Sequence, residues 1–366
     1  MDVRLFLAGD VMTGRGIDQI LAHPSPAAIH EPYLQSALDY VRIAEQANGP
    51  IPRAAQPAYI WGDALEELEQ QAPAARIVNL ETAVTRSEDR AAKGINYRMS
   101  PANAGCLTAA GIDCCVLANN HVLDWGVPGL LETLDTLHAA GVRTAGAGRT
   151  LEEAQTPAEI ALPGGQRLLV FSFAVSTSGV PLSWAAGAAR PGVDHLEDLS
   201  EPTVARLAAR MAAVRREGDR VIASIHWGPN WGYDVSRDEQ RFAHGLVERA
   251  AVDIVHGHSS HHAKGIEVFR RRLILYGCGD LINDYEGIEG YEQFRGDFGL
   301  MYFPALDAVS GGLTGLQMTV MQMRRFRACR ASRAHARRLC ETLDRESRRF
   351  GARAELCADG RIALRY

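Results

Sequence analysis

No apolar run in this 366-residue sequence approaches the ~20 residues a helix needs to cross a bilayer. The N-terminal M-D-V-R-L-F-L-A-G-D carries an acidic second residue and too short an apolar stretch for a signal peptide, so the chain is expected to stay in the cytosol, away from membranes. Cysteine is scarce. The seven present are odd in number and form no C-x-x-C pair, which fits reduced thiols in a reducing compartment better than a disulfide framework. Basic excess is missing as well: 39 Lys and Arg stand against 44 Asp and Glu, a formal charge of -5, which argues against a general nucleic-acid or membrane-surface binder. Internal repeats, low-complexity blocks and a dividing linker are all absent, so residues 1–366 are expected to form a single domain, with a core over 1–305 and a strand-helix-strand extension over 306–366.

What the chain does have is hydrophobic residue, 46% of the total, placed in a repeated pattern. Six short aliphatic runs end in residues that bind metals or move protons. These are V-R-L-F-L-A-G-D at Asp10, A-R-I-V-N-L-E at Glu81, D-C-C-V-L-A-N-N-H at Asn119, Asn120 and His121, R-V-I-A-S-I-H at His226, V-D-I-V-H-G-H at His258, and R-L-I-L-Y-G-C-G-D at Asp280. Continuous apolar runs of this length suit strands buried on both faces, and in α/β proteins ligands bind beyond the carboxyl ends of such strands. The six polar clusters are therefore expected to converge.

Helices are expected between the runs, at 61–71, at 127–140 behind Pro128, and at 202–217 behind Ser200. An insertion at 24–57, with a helical centre over 33–48, is expected to wall the site. The Gly-, Pro- and Ser-rich segment 176–195, which carries Trp184, reads as a substrate-side loop or an ordinary surface connection. Near the end, arginines interleave with Glu341, Asp344 and Glu346 in a helix over 334–350, a solvated face rather than an anion site.

Four of the twelve histidines, His256, His258, His261 and His262, fall within seven positions. A histidine-rich tract alone is a weak signal. Carboxylates, an asparagine and imidazoles at neighbouring strand ends make a stronger one, a mixed oxygen and nitrogen donor set suited to Mn, Zn, Fe, Co or Ni. Taken singly, each position has a structural explanation, as a hydrogen-bonded core histidine or a helix-capping carboxylate.

The series G-D-V-M, N-L-E-T-A-V-T, L-A-N-N-H-V-L-D-W-G, I-H-W-G, G-H-S-S-H-H and L-Y-G-C-G-D resembles the capsule-synthesis (CapA-like) proteins, relatives of the calcineurin-like metallophosphoesterases. The resemblance runs from Asp10 to about Phe303 and implies a four-layer α/β/β/α sandwich with a metal centre at its edge. It implies Asp10 as the first-strand carboxylate, Glu81 where phosphoesterases place a bridging aspartate, Asn120 with His121 as their Asn-His pair, and His226, His258 and His261 as later ligands. Met12 stands where the phosphoesterases have a histidine, and His258 and His261 are one residue further apart than the usual His-x-His. One firmly held divalent ion is the expectation. His256 is expected to face the core and His262 to orient a neighbour.

The resemblance extends to the cytosolic epimerases of lasso-peptide biosynthesis, and the first expectation is epimerisation of a peptide's α-carbon with the metal as Lewis acid. His121 is the leading acid/base group, with Asp124 orienting it. Asp280 or Cys278 is the candidate partner, although a small buried residue is the better reading of Cys278. Trp125, Trp184, Trp227, Trp231 and Tyr285 are candidates for an aromatic pocket. The alternatives are a metal-dependent phosphoesterase of the same fold, and a capsule protein that binds an anionic polymer. The missing anchor makes the last the weakest expectation.

Overall fold

A computed structural model describes residues 2–366. Two sheets carry the chain, and their strands follow one another in sequence. The first receives β1 (Phe6–Val11), β2 (Arg76–Leu80), β3 (Cys114–Val116) and β4 (Arg143–Ala145), all parallel. The second is built on β5 (Arg167–Val175), β6 (Arg220–His226), β7 (Ile254–His258) and β8 (Arg272–Leu275), again parallel. The chain then returns to the first sheet. β9 (Asp280–Ile282) lies parallel to β1, and β10 (Phe298–Asp307) and β11 (Leu313–Met323) continue the sheet antiparallel.

Alternation along these strands builds the layers. Leu5 and Leu7, Ile77, and Cys114 and Val116 face Leu168, Val170, Ile222, Ile254 and Leu273 in a core between the sheets. Their neighbours Phe6, Ala8, Val78, Leu80 and Cys115 turn the other way, onto helices that carry Ile17, Tyr40, Leu68 and Leu130. On the far side Leu169, Phe171, Val221, Ala223 and Val255 pack against Leu207, Met211, Phe242 and Leu246. The result is helix, sheet, sheet, helix, the four-layer α/β/β/α sandwich. Strands buried on both faces need the continuous apolar runs seen in the sequence.

Helices occur where expected, with shifted ends: Ala37–Asn48, Ala64–Gln71, Gly126–Ala139, Glu201–Val214 and Arg333–Ser347. The expected start at 61 is corrected to Ala64, because Tyr59–Trp61 forms a separate 3-10 turn closed by Gly62 at φ 46°. The expected strand end at Asp280 is corrected too. β8 stops at Leu275, and Asp280 opens β9 after a glycine turn, delivered to the site from the other sheet.

The segment from 306 onward is part of the sandwich. β11 extends the first sheet, and Ala336, Cys340 and Leu343 of the last helix enter the core between the sheets. Buried Glu67 pairs with Arg330 at 2.5 Å and Arg361 at 2.8 Å. Burial pushes the Glu67 carboxyl up, but the two arginines outweigh it and hold it below its ordinary 4.5. Its stabilisation is therefore present above pH ~4.5 and lost as pH falls through the lowered value. Glu67→Gln is expected to cost about 3 kcal/mol at neutral pH by leaving the arginines unpaired, and to converge on the wild type in acid. Urea melts taken from pH ~7 down to pH ~2 check this, and a loss that stays equal across the range would remove the ion pair as the cause.

Candidate metal centre

The strand ends meet at one edge of the sandwich. Parallel pairing puts His226 of β6 opposite His258 of β7, and pairs Asp10 of β1 with Asp280 of β9. This close approach requires glycine. A Cβ on Gly9 would stand 2.0 Å from the Gly279 carbonyl oxygen, and one on Gly257 2.6 Å from that of Leu275. Gly9 thus lets β1 lie against the G-C-G-D turn, and the Asp10 amide donates to the Gly279 carbonyl at 3.0 Å.

Two sets of donors converge, Asp10 with His226 and His258, and Asp10 with His261 and Asp280, the ligand atoms in each set lying within 4.8 Å of one another. All five residues are buried. Orientation comes from the residues behind them. The Ser224 hydroxyl lies 2.8 Å from His258 Nε2, which leaves His258 Nδ1 facing His226 Nδ1 at 2.8 Å. His226 Nε2 is occupied by Asn120 Oδ1 at 3.1 Å. Asn230 lies 3.2 Å from His261 Nε2, and His261 Nδ1 meets Asp280 Oδ1 at 2.9 Å. The extra residue in His258-Ser-Ser-His261 is absorbed by Ser259, whose backbone sits at φ 102° with its hydroxyl donating to Gly228. A non-glycine residue there costs on the order of 1–3 kcal/mol, strain of a kind that gathers at functional sites.

The electrostatics fit a cation. Asp10 Oδ2 is buried without any hydrogen-bond partner. Burial, with the charge of Asp280, pushes Asp10 up to about 6 against the lowering effect of a hydrogen bond with Glu81, and burial with the charge of Asp10 raises Glu81 well above its ordinary value. Burial also holds His226 and His258 well below 6.5, in the neutral form that binds metal. Burial opposes protonation of His261 too, but the charge of Asp280 overcomes it and raises that imidazole. A divalent ion held by Asp10, His226, His258, His261 and Asp280 would supply positive charge to these buried carboxylates and to the neutral imidazoles of His226 and His258.

Glu81 lies beside the shared carboxylate without belonging to either set. Asn79, which the sequence reading passed over, donates to Asp10 Oδ1 at 2.7 Å and to Glu81 Oε2 at 3.1 Å. Its signal was present in N-L-E, two residues before Glu81. His121 Nε2 lies 3.8 Å from Glu81 Oε1, and His121 Nδ1 is 2.6 Å from Asp124 Oδ2. Burial takes the His121 imidazole down to about 4.

Other expectations need correction. Cys278 belongs to the apolar core between the sheets, and burial raises its thiol well above 9, so it supplies no thiolate. Asp280 is paired with His261 rather than free to act as an acid or base. His256 does face the core, bridging Ser224 and the Ala8 carbonyl. His262 packs against Trp231, Tyr233 and Phe294. Of the aromatic residues, Trp227 and Trp125 are core residues that donate to Tyr276 and Tyr97 carbonyls. Trp231 and Tyr285 line a cleft of about 840 Å³ beside His261, with Tyr33 and Tyr40 from the insertion on its wall. The loop 176–195 reaches the centre: Ser178 donates to the His226 carbonyl and Trp184 lies over Lys93. Among the described residues no helix is long and apolar enough to cross a membrane.

A probable polyglutamine synthesis accessory protein of Mycobacterium tuberculosis is 45% identical over 353 residues, 96% of this chain and 93% of that protein. The PGA biosynthesis protein CapA of Bacillus subtilis is 26% identical over 75% of this chain and 62% of its own length. A solved phosphatase from Mycoplasma pneumoniae aligns over 88% of this chain and 94% of its own at 11% identity, with a TM-score of 0.48. The model of the bacterial capsule synthesis proteins, PGA_cap, matches residues 4–285, from before Asp10 to beyond Asp280, and to that family this chain belongs.

Proposed function

We propose that this chain is a divalent-metal-dependent hydrolase that acts on a polyglutamate-type polymer or its phosphorylated precursor, as an accessory to polymer synthesis. The observation that carries the reading is Asp10, one carboxylate common to two donor sets, the layout that holds a pair of ions in hydrolytic centres. The relatives named for polyglutamine and PGA synthesis support the polymer as substrate. They also favour a capsule role over the epimerisation ranked first from sequence.

Metal held by these residues supplies Lewis acidity toward a phosphoryl or carbonyl oxygen. The remaining work falls to the chain. His121, kept unprotonated by burial and oriented by Asp124, takes up at Nε2, the nitrogen turned toward Glu81, the proton given up by the attacking water and passes it to the leaving group. Asn120 and Ser224 fix the two imidazoles that face each other. The cleft beside His261 admits the chain to be cut.

A second reading, epimerisation of a peptide α-carbon, draws on the faces of Trp231, Tyr285 and Tyr291 in that cleft, which suit a peptide side chain. One experiment separates them. The protein loaded with Mn or Zn is incubated in deuterated water with poly-γ-glutamate, bis(4-nitrophenyl) phosphate and precursor-type peptides, with a chelated control. Metal-dependent cleavage of either of the first two is expected. Deuterium on a peptide α-carbon without cleavage would overturn the hydrolase and install the epimerase.

A further inference from the structure

We propose that Lys93 is a positioning residue for His121, fixing the imidazole through Asp124 so that Nε2 is presented to the centre. Lys93 lies in the loop 88–96, between β2 and β3 and away from every motif that marks the site. Its Nζ sits 2.8 Å from Asp124 Oδ1 and donates to the Asn120 carbonyl. Asp124 is wholly buried, and its other oxygen accepts from the Tyr97 amide at 2.6 Å and meets His121 Nδ1 at 2.6 Å. Among the described residues Lys93 is the one cation in an ion pair with Asp124.

A buried carboxylate without an opposing charge is costly, and a carboxylate held at one oxygen alone can turn about its side chain. Lys93 removes both problems. The backbone repeats the tie, with the Ala91 amide and the Asn96 side chain donating to the Asp124 carbonyl. The Tyr97 ring lies 4.2 Å from the imidazole. Trp184 stands over the ammonium at 5.4 Å, so the loop after β5 is joined to the same point. Lys93 keeps 27% of its side chain exposed while the groups it holds are buried, so it closes the dyad from the solvent side.

The inference rests on the proposed role of His121 as the proton-moving group, and its test has a readout independent of turnover. Zinc-loaded protein with ¹⁵N-labelled histidines is compared as wild type, Lys93→Met and Lys93→Arg, with His121 assigned by the signal lost in His121→Asn. The wild type is expected to show a single tautomer protonated at Nδ1. Lys93→Met is expected to move that signal toward a ring exchanging between tautomers, and Lys93→Arg to restore it. Turnover of bis(4-nitrophenyl) phosphate is expected to fall about 10-fold or more in kcat with KM and zinc content unchanged, the scale of loss of an orienting partner. Wild-type His121 signals in Lys93→Met overturn the proposal. Lys93→Gln replaces the methionine variant if that one does not fold. If the wild type itself cleaves neither bis(4-nitrophenyl) phosphate nor poly-γ-glutamate, the hydrolase reading falls while the spectra still decide the role of Lys93.

Discussion

Asp10→Ala is expected to empty the metal centre completely, from about two ions per chain to none, and to abolish turnover. His258→Ala and Asp280→Ala are each expected to leave one ion, because each belongs to one donor set and Asp10 to both. Elemental analysis of the three variants after gel filtration checks this. If Asp10→Ala retains as much metal as His258→Ala, the shared-carboxylate arrangement is wrong. Thermal melts add a second check. Metal that binds only the folded chain stabilises it by mass action, so the wild type is expected to lose melting temperature with chelator and Asp10→Ala to show no such response.

His121→Ala is the complementary case. It is expected to keep the wild-type metal content and lose about 10²- to 10⁴-fold in kcat, the range for a positioned acid/base group. His121 touches Asp124 and approaches Glu81, and belongs to neither donor set. Near-normal kcat would remove it from the mechanism, and loss of metal would make it a ligand instead. Against Asp10→Ala, which loses activity by losing the ion, this variant separates binding of the metal from movement of the proton.

The strands and the polar residues at their ends were legible because a strand buried on both faces needs an unbroken apolar run, and each run stops where its strand leaves the core. Asp10, Glu81, His226 and His258 could be singled out for that reason. The supporting residues were less visible. Asn79 lies inside an apolar run and reads as an interruption of it. Ser224 sits two residues before His226 and has no meaning until β6 and β7 are paired. Lys93 could not be found by any local pattern, since its partner Asp124 is 31 residues away and the loop that carries it has no periodicity.

Cys278 and Asp280 show the same boundary from the other side. In sequence they are neighbours in G-C-G-D and equally eligible for chemistry. The turn at Gly279, with φ 72°, sends the thiol into the core between the sheets and the carboxylate to His261. The sequence by itself determined most of the strand ends and the donor types, because these follow from hydrophobic runs and from which side chains can bind a metal, while the layer order came from the family resemblance. Only the tertiary structure decided that Asp10 serves two donor sets and that Lys93 holds Asp124. Those are matters of distance across sheet pairings and loops, and no spacing along the chain encodes them.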